Sequence, residues 1–76
     1  MKEFDTQTFA RRLKALRMER GMDQDALAAA SGVSKATIAR YETGRNTPKV
    51  DAAVDLAQAL ECSLDVLVGV IPLAVA

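Results

Sequence analysis

Apolar residues recur along this chain at helical spacing, with polar residues and glycines breaking the pattern into five pieces. Phe9, Leu13 and Leu16 fall at i, i+4 and i+7, the stripe of a helix predicted from about residue 6 to residue 20. Asp5 stands before it as an N-cap, Phe4 and Phe9 have hydrophobic-staple spacing, and Gly21 follows its end. A second helix is predicted from about residue 24 to residue 31, capped by Asp23. Asp25 suits the dipole of its first turn, and Leu27, Ala28 and Ala30 are compact enough for close packing. Gly32 stops that helix, and Ser34 caps a third running from Lys35 to about Thr43, with Val33, Ile38 and Tyr41 inward and Gly44 at its end. After a polar turn, Thr47 is the predicted cap of a fourth helix, with Pro48 at its first position. Val50, Val54, Ala57 and Leu60 form its predicted stripe, with Ala53 and Leu56 adjoining. Ser63 caps a short fifth helix, Leu64 to Val68, closed by Gly69. The reading is all-α: one five-helix domain over residues 1–69 and an apolar tail over 70–76.

Composition narrows the chemistry. At 76 residues the chain makes one small domain with a thin stability margin. A single cysteine, Cys62, permits no intramolecular disulfide, and with no histidine it cannot anchor the usual zinc site. Lack of histidine also removes the commonest general base and the Ser/His and Cys/His pairs. No enzyme activity, metal or cofactor is expected. Cys62, between Leu60 and Leu64, reads as a structural thiol. The charged start, Met1 to Asp5, has no apolar signal region. The longest apolar run, residues 66–76, falls short of the roughly 20 residues needed to span a membrane. A soluble cytoplasmic protein that does not enter membranes is the expectation.

The net charge is zero, but it is unevenly spread. Residues 1–22 hold six bases (Lys2, Arg11, Arg12, Lys14, Arg17, Arg20) against three acids. Residues 34–49 hold Lys35, Arg40, Arg45 and Lys49 against Glu42 alone. Residues 50–76 hold four acids and no base. This pattern fits ordinary surface charge, and it equally fits a molecule with one basic side that would meet phosphate.

Residues 23–44 carry the most information. Two short helices joined by a turn containing Gly32 have the geometry that crosses helices steeply and leaves the second one standing proud. Such a helix fits the major groove of B-DNA, about 12 Å wide. The runs Met22-Asp23-Gln24-Asp25-Ala26-Leu27-Ala28, Gly32-Val33-Ser34 and Ile38-Ala39-Arg40-Tyr41-Glu42-Thr43-Gly44 resemble the phage repressor/Cro (Xre) helix-turn-helix family. Pro48, Leu56-Ala57-Gln58-Ala59-Leu60 and Ser63-Leu64-Asp65 extend the resemblance to about residues 8–68. Two positions depart from the family pattern: Asp23 replaces a Ser or Thr cap, and Glu61 stands where glycine is common.

The resemblance implies a DNA-binding transcription regulator acting on double-stranded DNA as a homodimer, a repressor of a palindromic operator. It assigns base reading to Lys35, Ala36, Thr37 and Arg40, and phosphate contact to Gln24, Ser34, Arg45 and Asn46. Lys or Arg would meet guanine, and Ala or the Thr methyl a thymine methyl. It also implies a structural ion pair between Arg17 and Glu42 that locks the reading helix to the first helix. The tail Val70-Ile71-Pro72-Leu73-Ala74-Val75-Ala76 has no polar side chain, so a dimer contact is the leading expectation. Folding back onto the core, or continuation into another domain, are its alternatives. Two other functions fit the same sequence: an antitoxin that holds a toxin through its tail or acidic side, and a helical adaptor that binds only protein.

Overall fold

A computed structural model describes the chain over residues 5–69. Five helices follow one another: α1 (Thr6–Glu19), α2 (Gln24–Ser31), α3 (Lys35–Glu42), α4 (Val50–Ala59) and α5 (Leu64–Val68), with no strand among the described residues. Four of the five are capped by the side chain before them. Asp5 accepts from the Gln7 amide, Asp23 from Ala26, Ser34 from Thr37 and Ser63 from Val66. Each short acceptor satisfies an amide that the helix itself cannot.

The fourth helix corrects the sequence reading. Lys49, not Thr47, is its N-cap, with no side-chain cap bond, and Val50 is its first residue. The Thr47 hydroxyl instead lies 3.3 Å from that of Thr6, across the domain at the start of α1. The buried stripe also differs from the predicted one. Val50 is 77% exposed and Val54 half-buried, while Ala53, Leu56, Ala57 and Leu60 face inward at i, i+3, i+4 and i+7. Ala30, read as a packing residue of α2, is exposed; Leu27 alone of that helix is fully sealed. The Phe4 staple and the 70–76 tail lie outside the described residues.

One core joins all five helices. Phe9, Leu13 and Leu16 of α1 meet Leu27 of α2, Ile38 and Tyr41 of α3, Leu56, Ala57 and Leu60 around α4, and Leu67 of α5. Phe9 and Tyr41 pack edge to face, with ring centroids 5.7 Å apart and planes at 72°. Helix α1 lies against α3 and α5, while α2 touches both α3 and α4. Helix α3 is therefore held on two sides by the core and left open on the others.

Three helices end in the same double hydrogen bond. After α1, Gly21 and Met22 donate back to Met18 and Arg17; after α3, Gly44 and Arg45 donate back to Tyr41 and Arg40. After α4, Glu61 and Cys62 donate back to Gln58 and Ala57. This closure needs a left-handed residue. Glycine supplies it twice; at the third, Glu61 takes φ +55°, the one positive φ outside glycine among the described residues. At Gly44 φ is +75°, which another residue would hold only with strain, and a Cβ there would displace the end of the exposed Gln7 side chain.

Candidate nucleic-acid interface

Helix α3 is built to offer one side. Ile38 is fully buried and Tyr41 nearly so, anchoring the helix on α1. Lys35, Ala36 and Arg40 are exposed on its other side, and Thr37 and Ala39 are half-buried beside them. The Ser34 hydroxyl is engaged at the helix start: it accepts from the Thr37 amide at 3.1 Å and donates to the Thr37 hydroxyl at 2.9 Å. Arg45 and Asn46 are exposed in the loop just after α3. Arg40 and Arg45 share a shallow, open cleft of about 220 Å³ with Ala39 and Thr43. Structure thus brings Lys35, Ala36, Arg40, Arg45 and Asn46 to the surface along α3 and its exit loop.

The brace beneath this face is a network centred on Glu42. Arg17 donates from Nε to Glu42 Oε2 at 2.7 Å and from Nη2 to Oε1 at 3.0 Å, a two-pronged ion pair. Its third arm donates to the Met22 carbonyl at 2.8 Å. Both side chains are nearly sealed from solvent, at 11% and 5% exposure. The hydrogen bonds to Glu42 raise the Arg17 pKa further above its ordinary value, so the guanidinium stays charged. Gln24, the first residue of α2, donates from Nε2 to the same Glu42 Oε1 at 3.2 Å. One carboxylate therefore ties α1, α2 and α3 together, and it is α2's leading residue that touches it.

Two cations of the basic N-terminal stretch turn out to be structural. Arg20 donates to the Leu60 carbonyl at 2.7 Å and the Glu61 carbonyl at 3.1 Å, closing the end of α4. Arg12 donates to the Val66 carbonyl at 3.0 Å in α5. Sequence periodicity sets Arg12 beside the apolar stripe of α1 and carries Arg20, four residues after Leu16, along its line. It could not show that guanidinium groups beside that stripe reach the carbonyls of α4 and α5. Burial pushes the Cys62 thiol pKa up, with Arg20 opposing it, so the thiol stays protonated at neutral pH. Among the described residues no cluster of His, Cys, Asp or Glu could hold a metal, and no helix is long and apolar enough to cross a membrane.

A helix-turn-helix family model, HTH_3, matches residues 13–67. The chain belongs to the HTH_3 helix-turn-helix family, the Cro- and Xre-type group that its sequence resembles. Among solved structures it is similar to the restriction-modification controller protein C.AhdI from Aeromonas hydrophila, at 30% identity and a TM-score of 0.80, over 83% of this chain and 96% of that one. It is also similar to an HTH_3 family transcriptional regulator from Vibrio cholerae, at 33% identity and a TM-score of 0.82. That match covers 91% of this chain but only 39% of the regulator. No curated protein matches the chain. The all-helical, five-helix repressor-like fold is shared with these structures, and the family is one of DNA-binding transcription regulators.

Proposed function

We propose that this protein binds a roughly palindromic operator as a homodimer and represses transcription by occupying it, without covalent chemistry. The exposed side of α3 carries the reading: Lys35, Ala36 and Arg40 stand outward while Ile38 and Tyr41 fix the same helix to the core. In this reading Lys35 and Arg40 meet guanine edges, and Ala36 and the Thr37 methyl meet thymine methyls. Arg45 and Asn46 grip the backbone beyond α3, and Gln24 and Ser34 grip it at the starts of α2 and α3. Gln24 is suited to that task because Glu42 holds its amide in place. Two-fold symmetry would set the two reading helices about 34 Å apart on one face of the duplex. The protein works in the cytoplasm, where the duplex is. The apolar 70–76 tail lies outside the described residues, so its part in dimerisation rests on its sequence alone.

The test is duplex binding across salt. Sites enriched from random duplex by the protein should share a two-fold half-site, and affinity for them should fall steeply as salt rises. Arg40→Ala should weaken the selected site and relax base preference at one position. Arg45→Ala should weaken all sequences alike. Wild-type affinity in both Lys35→Ala and Arg40→Ala would remove α3 as the reader.

A second reading specifies which genes are regulated. C.AhdI is a restriction-modification controller, and the match spans nearly all of that small protein. In this reading the regulated genes are those of a restriction-modification system, and a restriction or methylation gene next to the coding sequence would support that role.

A further inference from the structure

The two outermost cations of α3 differ in one respect. Lys35 donates from Nζ to Oδ2 of Asp25 at 3.3 Å, across the turn that joins α2 to α3. Among the described residues Arg40 and Arg45 have no carboxylate within ion-pair range. Both members of the pair are open to solvent, Lys35 at 57% and Asp25 at 70% exposure. Asp25 lies in the first turn of α2, where the helix dipole favours a carboxylate independently of Lys35. The Lys35 ammonium therefore faces a duplex already neutralised by a neighbour that has its own reason to be there.

We propose that Asp25 is a positioning residue for sequence discrimination: it holds Lys35 away from phosphate on random duplex and gives it up only to a matching base edge. This rests on the DNA-binding reading above. An exposed ion pair is worth at most about fivefold in an equilibrium constant. A phosphate offers an exposed lysine a contact of similar kind, so on random sequence the exchange of carboxylate for phosphate gains almost nothing. It also leaves the Asp25 charge facing the DNA. A well-placed contact to guanine O6 and N7 discriminates by about five- to 150-fold, enough to displace the carboxylate. Asp25 thus lowers affinity for random duplex more than affinity for the operator and widens the ratio between them. Arg40 and Arg45 have no such restraint and attract any duplex.

The experiment compares binding to a selected site and to a scrambled duplex across a potassium chloride series. It uses the unaltered protein, Asp25→Asn, Lys35→Met and the double variant. Asp25→Asn should steepen the logarithmic salt slope on scrambled duplex by about 0.9, one added phosphate contact. It should tighten scrambled binding severalfold and narrow the ratio of selected to scrambled affinity. In the Lys35→Met background the same change should leave the slope where it was. An unchanged slope in Asp25→Asn, or equal steepening with Lys35 absent, overturns the role of Asp25 while leaving DNA binding intact. Failure of the unaltered protein to bind any duplex overturns the DNA-binding reading and this inference with it.

Discussion

Arg17 and Arg40 sit on helices that pack against each other, and they carry the same guanidinium group to opposite ends. Arg17 is 9% exposed and spends its donors on Glu42 and the Met22 carbonyl. Arg40 is exposed, and among the described residues its side chain has no ion-pair partner. Arg12 and Arg20 belong with Arg17, committed to carbonyls of α5 and the end of α4. Arg45 belongs with Arg40, open in the loop. A basic stretch is therefore two populations: cations that hold helices together and cations still available to a ligand. Only the second population can raise affinity for a polyanion without loss of fold.

The sharpest way to break this division is at Arg17. Arg17→Ala strands the Glu42 carboxylate at 5% exposure and should cost about 3–5 kcal/mol, read as a lower urea midpoint and melting temperature. The paired change Arg17→Met with Glu42→Leu should recover much of that loss, because the stranded charge is gone. Arg40→Ala should do the reverse. It should weaken duplex binding by about 1–3 kcal/mol with the melting temperature unmoved. A large stability loss in Arg40→Ala would merge the two populations.

Smaller changes sharpen the division at the end of α4. Arg20→Ala removes two bonds to carbonyls from a side chain that is 40% exposed, and should cost about 1 kcal/mol in thermal unfolding. Glu61→Gly should stabilise by about 1 kcal/mol, because Glu61 holds φ +55° where glycine is at ease. The smallest effect is set by pH. The Thr8 hydroxyl, then the Gln7 amide, hold the Asp5 pKa below its usual 3.8. Its contribution is therefore present above that value and lost as pH falls through the lowered one. Amide exchange in the first turn of α1 should quicken in that acid window, and Asp5→Asn should flatten the change.

Much of this was legible in the sequence because local chemistry and periodicity agreed. Asp5, Asp23, Ser34 and Ser63 are short acceptors placed before apolar stripes, and all four cap helices. The third helix was legible for the same reason, since Ile38 and Tyr41 leave one obvious side outward. The start of α4 was misread because Thr-Pro is a strong local signal. The Thr47 hydroxyl instead lies beside Thr6, 41 positions away in the chain, a contact no local pattern encodes. The reach of Arg12 and Arg20 was hidden likewise, because long side chains find partners that depend on where other helices lie. Asp25 looked like a dipole residue, and it is one. Its nearness to Lys35 follows from the sharp turn at Gly32, where φ is +77°.

The Glu42 hub lies at the last turn of α3, where Arg40 also stands outward, and none of Lys35, Ala36 and Arg40 is among the core residues. Fastening and display are thus kept on separate sides of a helix only eight residues long. Outward side chains can be exchanged freely while the mounting beneath them stays fixed. A protein so arranged can be retargeted to new addresses by rewriting a few letters, and each rewritten version inherits the same frame.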